Sequence, residues 1–215
     1  MRPFNLYLDT SVWNYAVAQG PPEKQLVTRE LLQAIRSGVH HAFVSAVVID
    51  EITQAPPRRR LELERVLHET SPRLVEIIPE VIALAEQYVE ARIIPLSKRN
   101  DALHIAAATV ADMEGLVSWN DKHLANLRVK EKSWSTVSTS GKDTSSQSSS
   151  SLPWRWYPMK NVDKPLQEVW TWKTKAQRKT VRMTAQQLNR FYNQLTEEAT
   201  HRLALSRATR QQLPY

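Results

Sequence analysis

Cysteine is absent from the 215 residues, which excludes disulfides and thiolate metal sites. Glycine is scarce, with four residues against 41% hydrophobic content, and this argues for a helix-rich globular chain. No apolar run approaches the roughly 20 residues that a membrane span needs, so no membrane association is expected. The N-terminus enters a strand pattern at once, without a charged region followed by a long apolar stretch. No secretory signal is therefore expected, and a cytoplasmic setting fits.

What is present is unevenly distributed. The net charge is +7, but residues 1–132 carry 16 Lys and Arg against 17 Asp and Glu, whereas residues 133–215 carry 13 against 5. A neutral domain thus bears a basic appendage, which suits either nucleic acid or an acidic surface on the domain itself.

Residues 1–132 alternate strand-like and helix-like segments, the pattern of a parallel sheet covered on both faces. Strands are expected at 5–9, from 41 into a short helix around Glu51, at 73–78 and at 115–120. Helices are expected at 22–38, 58–70, 79–91 and 100–113, the last almost wholly apolar and so deep in the domain. Residues 133–158 lack any apolar period and read as a Ser-rich linker.

Residues 159–215 then turn helical, at 163–179 with Asp163 as a cap and at 184–207. The second helix opens with a capping box, Thr184 and Gln187, and carries a stripe of Leu188, Phe191, Tyr192, Leu195, Ala199 and Leu203. Two helices cannot enclose a core, so this stripe must dock on the first domain or on another chain. The expected fold is α/β, a three-layer α/β/α sheet with a C-terminal two-helix extension.

In such sheets the functional crevice lies beyond the carboxyl ends of the strands. The first strand delivers Asp9 there, the second leads to Asp50 and Glu51, the fourth ends at Asn120 and Asp121, and Asp101 opens the apolar helix. Singly, Asp9 and Asp101 could be helix caps and Glu51 a solvated acid. Together they form a cluster in which carboxylates 5 Å apart repel by about 3 kcal/mol per pair. Oxygen ligands without cysteine or paired histidine select Mg²⁺ or Mn²⁺. His104, one turn after Asp101, reads as a hydrogen-bonded core histidine with a metal role as the rarer alternative. Lys122, His123 and Arg58 to Arg60 read as surface residues that RNA phosphates could reach.

The stretches YLDTSVWN (7–14), VSAVVIDEI (44–52), NDALHIAAAT (100–109) and LVSWNDKHLAN (116–126) resemble the PIN-domain nucleases, and among them the VapC-type toxins of toxin–antitoxin systems. The resemblance implies a metal-dependent ribonuclease in which Asp9, Glu51 and Asp101 are catalytic. Asp9 and Asp101 would hold Mg²⁺ or Mn²⁺ and Glu51 would position or deprotonate the attacking water. The family's fourth acid falls on Asn120, with Asp121 adjacent, a departure that favours a catalytically degenerate RNA-binding or protein-interaction module as the alternative. Homodimers are usual for the family.

The C-terminal KPLQEVWTWKTKA and MTAQQLNRFYNQLTEEATHRL are similar to the short helical antitoxins encoded beside such toxins, with Met159 where a separate partner would begin. As an antitoxin in cis, the extension would place an arginine among the acids, with Arg190, Arg202 and Arg207 as candidates. The competing expectation is that Trp154, Trp156, Trp170 and Trp172 among basic residues stack on nucleic acid.

Overall fold

The structure is a computed structural model that describes residues 2–120 and 164–211, with side chains to residue 202. The linker 133–158, Asp121, Lys122, His123, Asp163, Met159, Trp154 and Trp156, and the side chains of Leu203 and Arg207, lie outside the described residues.

Four short strands, β1 (Asn5–Leu8), β2 (His41–Ser45), β3 (Arg73–Val75) and β4 (Gly115–Val117), form one parallel sheet in the order β3-β2-β1-β4. Tyr7 is paired with Phe43 on one side and Leu116 on the other. Between the strands run α1 (Thr10–Val17), α2 (Pro22–Arg36), α3 (Ala46–Thr53), α4 (Pro57–Thr70), α5 (Pro79–Glu90) and α6 (Arg99–Val110). The order steps from β1 to β2 to β3 and then crosses back to β4. Right-handed crossovers therefore set α1 to α4 on one face and α5 and α6 on the other, the expected α/β/α arrangement.

β1 lies where the connections reverse direction, which is where such a sheet opens a crevice at its carboxyl edge. Tyr7 and Leu8 are fully buried, so the end of β1 is fixed by core packing. The apolar helix α6 is as deep as its composition demands: Ala102, Leu103, Ala106 and Ala107 are inaccessible to solvent.

Two strands are shorter than the sequence pattern. β3 stops at Val75 although the apolar residues continue to Ile78. The Ile77 carbonyl is taken by the side-chain amide of Asn189 (3.0 Å), and Pro79 opens α5. β4 stops at Val117 because Ser118 turns the chain, its Oγ accepting from the Asn120 amide at 2.9 Å. At the end of α2, Gly38 adopts φ of 79°, a left-handed turn that glycine tolerates without a Cβ clash.

The extension forms α7 (Lys164–Thr180) and α8 (Ala185–Gln211). The capping box holds: Thr184 donates its amide to Gln187 Oε1 (2.9 Å) and Gln187 donates its amide to Thr184 Oγ1 (3.3 Å). Leu188, Tyr192 and Ala199 are buried, and Phe191 and Leu195 pack on the same core, with α8 against α3 and α5. α7 lies across α1, α3 and α6. The Arg99 guanidinium grips the turn between the two helices, donating to the carbonyls of Thr180 (3.0 Å) and Met183 (3.2 Å) while pairing with Glu86.

Candidate active site

Asp9 ends β1 and precedes α1, yet its side chain makes no capping bond to the helix. Its carboxylate instead faces the crevice. Oδ2 accepts from Ser118 (2.6 Å) and Ser11 (3.1 Å), so a residue of the turn after β4 and one of the first turn of α1 fix its orientation. Asp101 lies in the first turn of α6 and is buried. Glu51, on α3, is also fully buried. None of the three is a cap or a solvated acid.

Glu51 is held by three donors. Thr10 Oγ1 and His104 Nε2 (3.3 Å) reach Oε2, and Asn100 Nδ2 reaches Oε1 at 3.2 Å. Because a carboxylate only accepts, His104 carries its hydrogen on Nε2. Nδ1 then accepts from the Tyr7 hydroxyl (2.8 Å), which is itself 2.7 Å from Ser45 Oγ. Burial pushes the Tyr7 phenol up, so it remains a donor. His104 is the hydrogen-bonded core residue the sequence suggests, and it is also part of the acid cluster: Asp9, Glu51 and His104 bring ligand atoms within 4.8 Å of one another.

The centre of this cluster is filled by Lys173 of α7. Its Nζ lies 2.9 Å from Asp9 Oδ1, 2.9 Å from Asp101 Oδ1 and 3.7 Å from Glu51 Oε2, with only 5% of the side chain exposed. Burial opposes the ammonium charge, but Asp101, Asp9 and Glu51 outweigh it and hold the Lys173 pKa well above its ordinary value. Reciprocally, burial raises Asp9 and Glu51, while the Lys173 charge pulls both below the ordinary carboxylate range, helped by the hydrogen bond of Ser118 to Asp9 and of His104 to Glu51. One ammonium thus keeps buried carboxylates ionised.

Among the described residues, the cation between the acids is a lysine of α7. Arg190 and Arg202 are exposed on α8. A sequence signal for Lys173 exists: Leu166, Val169, Ala176 and Thr180 form the buried face of α7, and Lys173 interrupts that helical stripe with a charge. Asp50, which the sequence places beside Glu51, points elsewhere and pairs with Lys179 of α7 at 3.0 Å. Burial raises its pKa despite that partner.

The remaining candidates also meet α7. Asn120 is buried, and its Oδ1 accepts from Trp170 Nε1 at 3.2 Å. Trp172 is buried. Of the two described tryptophans of the extension, Trp172 packs on the first domain, while Trp170 is half-buried and also lines a surface hollow with Lys175 and Arg178. Arg58 projects into solvent beside Glu62, and the half-buried Arg60 faces Glu64. Arg59 is more enclosed: it donates to the Val17 carbonyl (3.1 Å) and to Glu62 (3.0 Å).

Residues 6–130 match the PIN domain family. The chain belongs to it. PIN domains are generally metal-dependent nucleases, and the acids gathered at the end of β1 lie inside the matched region of this PIN domain. No curated protein and no solved structure matches the sequence. No helix among the described residues is long and apolar enough to cross a membrane.

Proposed function

We propose that the protein is a metal-dependent ribonuclease of the VapC toxin kind, restrained by its own C-terminal helices acting as an antitoxin in cis. The observation that carries this reading is the Lys173 ammonium among Asp9, Glu51 and Asp101.

The donor set suits a divalent cation. Asp101 Oδ2 is buried without a hydrogen bond and Asp9 Oδ1 meets the Lys173 ammonium, and hard oxygens of this kind are what Mg²⁺ or Mn²⁺ requires. Asp9 and Asp101 would hold it, and Lys173 stands in its place while α7 is docked. Once bound, such an ion lowers the pKa of a ligated water and offsets charge at the scissile phosphate. Ser118 and Ser11 keep Asp9 aimed. Thr10, Asn100 and His104 keep Glu51 ionised and fixed, which suits it to orienting the attacking water rather than to removing its proton.

A second reading has one observation in its favour. The family's fourth acid is here Asn120, which is buried and engaged by Trp170, so a module that binds RNA or a partner without cleaving is the alternative.

An RNA cleavage assay with Mg²⁺ or Mn²⁺ tests both, comparing the full chain, Lys173→Ala, and Lys173→Ala combined with Asp9→Asn. The lysine variant is expected to cleave at least about tenfold faster than wild type, and the double variant to fall about a hundredfold below the lysine variant, the scale of losing a transition-state charge contact of about 3 kcal/mol. Equal rates for wild type and Lys173→Ala overturn the restraint. Absence of Asp9-dependent cleavage in any of the three overturns the nuclease in favour of the binding module.

A further inference from the structure

α7 brings an anion as well as a cation to the crevice. Glu168 lies five residues before Lys173, about 7.5 Å along the helix axis, and its carboxylate faces Arg59 Nη2 at 3.7 Å and Asn14 Nδ2 at 3.5 Å. We infer that Arg59 and Asn14 form the seat of a backbone phosphate of the substrate RNA, and that Glu168 occupies this seat while the extension is docked. The inference rests on the ribonuclease reading and names the groups that take the substrate.

Arg59 does not depend on Glu168 for its position. Its Nη1 is tied to the Val17 carbonyl and to Glu62, both in the first domain, and the face of the guanidinium left over is the one Glu168 meets. A planar fork held from behind is suited to an incoming phosphate and little reorganised by it.

Asn14 supplies the second donor. It lies one helical turn after Thr10, the residue that grips Glu51, so its side chain shares the face of α1 turned toward the acids. It is fully buried, and its amide donates to two acceptors of α7, the Pro165 carbonyl (2.7 Å) and Glu168. When α7 leaves, those N–H groups face the crevice. An open cavity of about 420 Å³, lined by Val17, Arg58, Arg59, Glu62, Glu168 and Trp172, runs beside this seat and gives a single strand a path. The helix therefore reproduces the charge order of the bound state, a cation among the acids and an anion on Arg59.

The test uses the full chain carrying Lys173→Ala, Glu168→Ala and Asp9→Asn, which clears both charged groups of α7 from the crevice, lowers the repulsion among the acids and stops cleavage. Binding of a short single-stranded oligoribonucleotide is followed by fluorescence anisotropy in chelator at several salt concentrations. Adding Arg59→Gln is expected to weaken binding about tenfold and to lower the slope of log affinity against log salt by about 0.7, one phosphate contact on a single strand. Arg59→Lys restores part of the affinity. In the cleaving Lys173→Ala background with Mn²⁺, Arg59→Gln raises KM and leaves kcat nearly unchanged.

Unchanged affinity and salt slope, with cleavage intact in Lys173→Ala, overturn the phosphate seat and leave the nuclease standing. Loss of cleavage and of RNA binding in the opened chain overturns both. Should the alanine variants not fold, Lys173→Met keeps the aliphatic stem in the core and carries the same comparison.

Discussion

The ammonium of Lys173 and the carboxylate of Asp9, from opposite ends of the chain, meet at 2.9 Å inside a fully buried crevice. On the proposed reading one position serves two exclusive occupants, because the carboxylates that hold the lysine are the ones that would take a divalent ion. Such a chain is expected to respond to metal only when the lysine is gone.

Thermal unfolding reads this directly. In chelator, Lys173→Ala leaves buried carboxylates without a counter-charge and is expected to lose about 3–5 kcal/mol, a fall in Tm on the order of 10 °C for a chain of this size. Millimolar Mn²⁺ should recover much of that loss by binding the folded state, while wild type scarcely responds. A wild-type Tm that rises with Mn²⁺ as much as the variant's would show that lysine and metal do not compete.

The proposed restraint can also be loosened without touching a charge. A Cβ at Gly20 would lie 2.8 Å from Pro165 Cγ, so Gly20→Val wedges the start of α7 away from the first domain. Ribonuclease activity in Mn²⁺ is expected to rise severalfold, with Tm falling by a few degrees for about 1 kcal/mol lost. Activity at the wild-type level in a destabilised variant would mean that docking of α7 does not limit the enzyme.

The pH dependence of stability should change sign with Lys173. In wild type, Asp9 and Glu51 titrate below their ordinary range, so the unfolded chain binds more protons in acid. The stability they contribute is present above about pH 4, near their unfolded pKa values, and is lost as pH falls through the folded ones. Lys173 titrates well above its ordinary value, so its share holds until pH rises beyond about 10. Without it the carboxylates repel one another and move up, and Lys173→Ala in chelator should become less stable as pH rises through the carboxylate range. Denaturant midpoints measured from pH 3 to pH 8 decide it, and parallel profiles for the two proteins would refute the electrostatic account.

Arg99 couples α6 to the turn of the extension. Arg99→Ala removes donors from the Thr180 and Met183 carbonyls, at about 1–3 kcal/mol for each buried group left unpaired. Amide hydrogen exchange should quicken in residues 176–190 well before it does in β1 and β2. Uniform quickening across the sheet would show instead that the turn unfolds only with the whole protein.

The sheet and the acids at its carboxyl edge were legible because period and position carry them: apolar strands that end in Asp9 or lead into Glu51, and an apolar helix that begins at Asp101. Lys173 was not, because its neighbours are set by packing between segments far apart in sequence. The clear apolar stripe of α8 points to the arginines on that helix, whereas on α7 the weaker stripe of Leu166, Val169 and Ala176 that Lys173 interrupts is blurred by the tryptophans, lysines and threonines around it. The shortening of β3 was hidden for a similar reason, since the Asn189 amide that claims the Ile77 carbonyl comes from the far end of the chain.

Lys173 and Asp9 belong to one polypeptide. On the proposed reading, inhibitor and nuclease are therefore made in a fixed ratio of one to one, and no dilution or delay in synthesis can part them. In a pair of separate chains, dosage decides how much enzyme is free; under this proposal dosage drops out, and control passes to whatever lifts α7 from its own domain.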